Sequence, residues 1–304
     1  MQFRTWLAVV VLCLTVPGAV FAMTSANYQI NWDSLNSGGD DISNSANYRM
    51  QDTIGEQATG LSNSENYQIS AGYRLGSSAT PFLSILVRAQ ENAVKTTWST
   101  FSNSGKTVVV ANAGLFIVGD YLGIIENEGF GEKVAIGKIS LINGSTITVD
   151  AWEGEPGDLS AVPDGNGDVA YRLNGRTADL GTVYFGTEHE ALSFSNVDTN
   201  AGNGYTVSVQ GTGSFTNGTH AMDDVLDGVV SLQSEEYGAE SIGSIGYATG
   251  TDLAIPTASQ RVIATSTQQA VNQRIGLLYK VSVTPATPTG NYSQTVMYRV
   301  TGNF

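Results

Sequence analysis

Between Lys106 and Trp152 the chain reads KTVVVANAGLFIVGDYLGIIENEGFGEKVAIGKISLINGSTITVDAW. Its apolar residues come in short runs closed by Gly, Asn or Asp, the pattern of strands and turns. Val108 to Val110, Tyr121 to Ile125, Val134 to Leu141 and Thr146 to Val149 read as four strands. Asn143-Gly144 between Ile142 and Ser145 predicts a hairpin, because both residues tolerate positive φ. Val118-Gly119-Asp120 predicts a second tight turn. So many short strands in so few residues imply a small barrel or a meander.

The same rhythm continues to the end of the chain. Gly181–Phe185, Ala191–Phe194, Tyr205–Gln210, Gly276–Thr284 and Tyr292–Thr301 read as further strands. In the last two, Leu277, Tyr279, Val281 and Val283 face one way, as do Val296, Tyr298 and Val300. Met222–Val230 and Ser266–Arg274 are the only stretches that read as helical turns. Strands at this spacing with polar turns imply a β-sandwich.

The amino-terminal part is repetitive. SANYQI at 25–30 returns as SANYRM at 45–50 and as SENYQI at 64–69. Each copy predicts a short strand such as Tyr48-Arg49-Met50, a glycine turn and a second strand. Units this small share one core when stacked. Tyr28, Tyr48 and Tyr67 then stack as a buried layer or form a ladder that binds glycans. GSSATP at 76–81 has no apolar periodicity and reads as a linker.

Ahead of the repeats, Arg4, an apolar run from Trp6 to Val16, and Val20 and Ala22 before Met23 describe a secretory signal with cleavage after Ala22. No later stretch is long and apolar enough to span a membrane as a helix. Cys13, the only cysteine, leaves with the signal. Disulfides, thiol nucleophiles and thiolate zinc sites are therefore excluded from the mature chain. Fourteen Lys and Arg face 28 Asp and Glu, a formal charge of −14 that opposes nucleic acid and anionic lipid. Charged residues make up only 14% of the chain, which suits an exposed β-protein better than a helical enzyme.

Two stretches carry a resemblance. SANYRMQDTIGEQATGLSNSENYQISAGYR at 45–74 resembles a repeat common at the start of exported bacterial proteins: a Ser-x-Asn-Tyr strand, a Thr-Ile-Gly turn and a closing Gly-aromatic pair, here Gly72-Tyr73. TNAGNGYTVSVQG at 199–211 and GNYSQTVMYRVTGNF at 290–304 are similar to bacterial surface β-sandwiches, among them cell-wall-binding domains of the WxL kind, although no Trp-x-Leu tripeptide occurs here. The resemblance implies a surface protein and brings no binding residues across.

Candidate chemistry is sparse. In DGNGD at 164–168, Asp164, Asn166 and Asp168 alternate with glycines and present short oxygen ligands that can wrap Ca²⁺. The EF-hand pattern fails, since Val169 and Gly175 stand where its Gly and Glu belong. The competing reading is an acidic turn between strands. Asp198-Thr199-Asn200 repeats the signal faintly. His189 sits between Glu188 and Glu190, and His220 precedes Asp223-Asp224; one histidine with carboxylates is a thin basis for zinc. Glu153 and Glu155 are the kind of carboxylate pair a glycosidase needs, but nothing singles them out. Phe304 and the alternation before it partly match the end of an outer-membrane barrel strand, without the aromatic girdles of that class.

The expectation is thus an all-β, acidic, exported protein: a signal at 1–22, a β-repeat block at 23–75, a linker at 76–82, a small β-barrel or meander module at 83–160 and a β-sandwich at 161–304. Its expected role is structural or adhesive at the cell surface, through contacts with other envelope proteins or with itself. A carbohydrate- or wall-binding module is the alternative. No catalytic residues and no cofactor are expected other than calcium at Asp164, Asn166 and Asp168.

Overall fold

The computed structural model describes residues 81–304 apart from 130, 244 and 247–249, and the backbone of four short strands before them. The expected signal and Tyr28, Tyr48 and Tyr67 lie outside the described residues. The chain divides into two compact units, 1–80 and 81–304. In the first, β1 (Ser43–Asn44) pairs with β2 (Arg49–Met50), and β3 (Gly60–Asn63) with β4 (Gln68–Ala71). Asn44 opposes Arg49 and Asn63 opposes Gln68, so each pairing brackets one Ser-x-Asn-Tyr tetrapeptide. The strand after the motif therefore pairs with the residues before it.

The second unit is all-β and antiparallel. It begins with β5 (Leu83–Ser102), a 20-residue strand, followed by β6 (Thr107–Val110), β7 (Tyr121–Glu126), β8 (Lys133–Asn143), β9 (Thr146–Gly154) and β10 (Val169–Gly175). Pairing runs β10-β7-β8-β9-β6-β5, and β10 also pairs with β5, which closes six strands into a ring. Closure leaves no edge for another chain to pair with. The lumen is filled by Trp98, Phe101, Val108, Leu122, Ile124, Ile139, Ile147 and Val149. The hairpin between β8 and β9 forms one residue later than the Asn-Gly signal implies. Asn143 pairs with Thr146, and only Gly144 takes positive φ, at 59°. Glycine first in a two-residue loop is the type II′ arrangement, which matches strand twist.

After the barrel come β11 (His189–Thr199), β12 (Tyr205–Gly211), β13 (Glu236–Ile242), β14 (Arg261–Ser266), β15 (Ala270–Ser282) and β16 (Val296–Gly302). The first half of β5 pairs with β11, and the sheet continues through β15 to β13. β14-β12-β16 make a separate three-stranded sheet. The expected break between residues 160 and 161 does not interrupt the pairing: β10 completes the barrel, and β5 belongs to barrel and sandwich alike.

The sheet β11-β15-β13 is covered on both faces. Leu192, Phe194, Ile242 and Leu278 pack against Ile125, Val134, Ile136 and Tyr171 on the outside of the barrel. Val197, Leu277, Tyr279 and Val281 pack against Tyr205, Val207, Val209 and Ile263 of the small sheet. Arg274, fully buried, ties the barrel to this sheet: it pairs with Asp150, donates 2.9 Å to the Ala151 carbonyl and lies 5.7 Å from the Tyr121 ring centre.

Both expected helical turns are strand connections. Residues 266–270 form a turn closed by the Gln268 N–H on Ser266 Oγ at 3.1 Å, and β15 begins at Ala270. Over 222–230, the amides of Met222 and Val225 donate to the carbonyls of Phe215 and Tyr237. Neighbouring backbone takes the groups a helix would need. Gly181–Phe185 is a loop, held by the Gly181 N–H on Asp179 Oδ1 at 2.9 Å. The single helical segment among the described residues is a 3₁₀ turn at Ala113–Leu115, and no described helix could cross a membrane.

Candidate functional site

The alternation of β15 and β16 brings Tyr279 and Tyr298 together between the two sheets. Their hydroxyls lie 3.1 Å apart, and Ser193 Oγ on β11 is 2.7 Å from the Tyr298 hydroxyl. Burial pushes both phenols above their ordinary range, so they act as neutral donors and acceptors. Tyr237 on β13 lies parallel to Tyr279 at 6.5 Å between ring centres. Phe215 stacks on Tyr237 at 4.3 Å, and Tyr292 adds a third ring 5.8 Å from Phe215.

These rings form the floor of a cleft of about 1280 Å³. Its walls are two loops: residues 176–185 between β10 and β11, and 284–295 between β15 and β16. The second loop is rich in hydroxyls and amides, with Thr284, Thr287, Thr289, Asn291, Ser293 and Gln294. On the first loop, Tyr184 and Phe185 are 64% and 53% exposed at the lip. Large exposed rings beside a polar-lined cleft are what a binding surface displays.

The two histidines brace this cleft. His189 Nε2 is 3.0 Å from Thr187 Oγ1 and 3.4 Å from the Tyr184 N–H, with the two rings 6.1 Å apart. Burial lowers the His189 pKa, favouring a neutral ring that can accept at Nε2. His220 pairs with Glu235, whose other oxygen receives the Thr287 hydroxyl. Glu235 thus links the 220 turn to the second wall. Neither histidine belongs to a group of three His, Cys, Asp or Glu able to hold a metal, since none exists among the described residues.

The residues named for calcium serve their own loop. Asp164 Oδ1 accepts the Asn166 N–H at 2.8 Å, and Asp168 Oδ2 accepts the Gly165 N–H at 2.7 Å. Asp168 is buried, whereas Asp164 and Asn166 are exposed. Asp198 similarly accepts the Asn272 N–H at 2.7 Å and Asn200 the Phe82 N–H at 2.7 Å, pinning strand ends together. Glu153 and Glu155 stand at the end of β9; burial raises both pKa values, and the Val134 N–H donates 3.4 Å to Glu155.

Sequence patterning missed a second constellation. Lys280 alternates with Tyr279 along β15 and therefore points toward the barrel, where it is 8% exposed. It pairs with Glu132, with Glu240 at 3.0 Å and with Asp252 at 3.2 Å. Burial alone would lower the ammonium pKa, but these three charges outweigh it and hold it above the usual lysine range. Burial, reinforced by Glu132, pushes Glu188 up to about 7; Glu190 is also raised well above the usual carboxylate range, again first by burial. The missed signal is a lysine inside the apolar run of β15.

No protein-family model, curated protein or solved structure matches the chain.

Proposed function

We propose that the protein is an exported surface protein that adheres through the aromatic cleft, and that its ligand is a saccharide. The observation that carries this reading is the pair of exposed rings, Tyr184 and Phe185, above a floor of tyrosines and between walls of hydroxyl and amide groups. Sugar rings offer apolar C–H faces to aromatic platforms and hydroxyls to polar walls, so the two kinds of lining suit one ligand. The signal-like amino terminus and the Ser-x-Asn-Tyr repeats support export to the surface.

A binding rather than bond-breaking role is supported by the state of the nearby carboxylates. Asp179 Oδ1 accepts the Gly181 N–H, and Glu235 is held by His220 and Thr287. Neither is poised as half of an acid–base pair.

The test is saccharide binding by the full mature chain, measured by affinity electrophoresis and calorimetry across plant, bacterial and animal polysaccharides. Tyr184→Ala with Phe185→Ala should weaken binding tenfold or more, as central aromatic contacts do, with an unchanged melting temperature. Absence of binding to every polysaccharide would remove this reading. The unpaired outer edge of β16 would then favour adhesion by strand pairing instead.

A further inference from the structure

The two sheets of the sandwich differ in width. On one side the first half of β5 joins β11, β15 and β13, four strands in a row. On the other side β14-β12-β16 supplies three. The strand with least cover is β5. Its Leu83, Ile85 and Val87 share the inner face with Val197 of β11, yet they are half-buried where Val197 is fully buried. Exposed Phe82 and Phe304 stand at the end of this strip, beside one turn: the Phe82 N–H donates to Asn200, and the Asn303 carbonyl accepts from the Asn203 N–H.

The strand beside the strip has an open edge. Among the described residues β16 pairs with β12 alone. The Thr212 N–H donates to the Thr295 carbonyl and the Asn303 N–H to the Gly204 carbonyl, so the hydrogen-bonded pairs fall on the odd residues of β16. Antiparallel pairs alternate, which turns the backbone N–H and C=O of Val296, Tyr298 and Val300 away from β12. The Tyr298 hydroxyl reaches Ser193, whose partner across β5 is Ala89, and this sets β16 over the β11–β5 pair. Outward backbone groups beside half-covered apolar side chains are what strand addition requires.

The chain carries a segment of matching pattern. In TSANYQINW at 24–32, Tyr28, Ile30 and Trp32 alternate with Gln29 and Asn31, and no residue is charged. Three apolar positions at period two match Leu83, Ile85 and Val87. In the second and third repeats the strand after the motif is already paired, β2 with β1 and β4 with β3. Cleavage after Ala22, which the signal pattern directs, leaves only Met23 and Thr24 ahead of the first motif, at a chain end where pairing frays.

We propose that residues 28–32 of one copy add to the edge of β16 in a second copy, as the fourth strand of its cover, with Tyr28, Ile30 and Trp32 over Leu83, Ile85 and Val87. Donor and acceptor belong to different compact units, residues 1–80 and 81–304, so one copy can give its segment while its own groove takes another's. The contact is heterologous and links chains head to tail. It stands apart from the saccharide reading. A formal charge of −14 opposes association, and the donor adds nothing to it, so added salt should favour assembly.

The experiment compares residues 23–304 with the same chain lacking residues 24–32, by sedimentation across a range of concentrations. We expect a series of oligomers from the first and a monomer with a cooperative melt from the second. A synthetic TSANYQINW peptide should bind the shortened chain, raise its melting temperature and, in excess, break the oligomers of the intact one. Ile30→Asp in the peptide faces the groove and should weaken binding about tenfold or more, whereas Gln29→Asp on the outer side should change it little. Val296→Pro removes an outward N–H and spares the β12 ladder, so it should weaken the peptide as well. Oligomers that persist without residues 24–32 would overturn the proposal, as would a peptide that does not bind the shortened chain. Equal loss from Ile30→Asp and Gln29→Asp would overturn the strand geometry. A monomeric intact chain beside a shortened chain that binds the peptide would show that each copy fills its own groove, and would overturn the second copy as occupant.

Discussion

The strands β11, β15 and β13 present two faces made of alternating residues of the same segments, and the faces have different fates. On one, Leu277, Tyr279 and Val281 meet the small sheet, and the contact opens at one end into a cleft floored by phenols. On the other, Leu278 and Lys280 are buried against the outer wall of a closed barrel. The cleft face pairs large rings with hydroxyls. The barrel face mixes aliphatic side chains with Phe194, Tyr121 and Tyr171 and contains a buried ammonium among carboxylates. A cover with free edges leaves room for a ligand, whereas a cover that is itself a closed barrel seals what lies beneath it.

The largest expected effect strips the cover from the cleft face. Deleting Tyr292 to Phe304 removes β16, which pairs with β12 from Tyr205↔Gly302 to Gly211↔Val296. It also takes Val296, Tyr298 and Val300 from the apolar cluster and removes the Tyr298 hydroxyl that Ser193 and Tyr279 meet. These side chains are partly buried, so each contributes less than the about 1.5–3 kcal/mol of a fully buried one. With the lost strand pairing they still take a large share of a typical domain's stability of about 5–15 kcal/mol. The truncated chain should fail to fold, seen as loss of a cooperative melt. A soluble monomer with a sharp transition would mean that this face does not need its cover.

On the barrel face the corresponding lesion is Lys280→Met. It leaves Glu132, Glu240 and Asp252 together without their shared cation. Removing one partner of a buried ion pair costs about 3–5 kcal/mol, so this single change should approach the truncation in effect. Chemical denaturation at neutral pH checks it. Because the missing charge is the cause, lowering the pH should restore part of the loss as the carboxylates take up protons.

The difference between the faces also explains what the sequence revealed. Clean alternation in Leu277–Val283 and Val296–Val300 gave the cleft face correctly, because the inward side chains there are apolar. The same alternation treats Lys280 as a solvent-facing residue, since periodicity records polarity and not what lies opposite. The barrel wall comes from β7, β8 and β10, far away in sequence. Strand β5 escaped the strand reading because it crosses between sheets and is polar in its second half, Gln90 to Thr100. In the cleft, the pattern of Gly181–Phe185 predicts a strand, although Gly181 and Gly186 flank Tyr184 and Phe185, both with positive φ. That bracketing glycine pair marks a loop.

A subtler effect should appear on the barrel face as pH changes. The folded-state pKa of Glu188 is raised to about 7 by burial and by Glu132. The folded protein then holds a proton that the unfolded chain has already released. Stability from this group is complete below about pH 4.5 and is lost as pH rises toward about 7. Solvent still reaches this half-buried carboxylate, so the expected loss is about 1–2 kcal/mol. Glu188→Gln, which cannot ionise, should flatten stability against pH across that window and leave the cleft's ligand affinity unchanged. An identical slope in wild type and variant would place the titration elsewhere.

The smallest effect concerns calcium and the loop Asp164–Asp168, on the β9–β10 connection of the barrel. A calcium ion takes six to eight oxygens. Here Asp164 Oδ1 and Asp168 Oδ2 already accept amides of their own turn, at 2.8 and 2.7 Å. The turn is also docked on the β7–β8 connection, with the Glu128 N–H donating 2.8 Å to the Gly167 carbonyl. Asp168 Oδ1 is buried without a hydrogen-bond partner, but no group of three His, Cys, Asp or Glu able to hold a metal exists among the described residues, so the loop offers an ion too few oxygens. A ligand that binds only the folded state raises stability by RT ln(1 + [L]/Kd), so even millimolar affinity is visible at tenfold excess, as about 1.4 kcal/mol. We expect the melting curves in calcium and in chelator to coincide within about 1 °C, a shift smaller than a 1 kcal/mol change produces in a domain of this size. A rise with calcium that disappears in Asp164→Asn with Asp168→Asn would instead show that these carboxylates hold the ion.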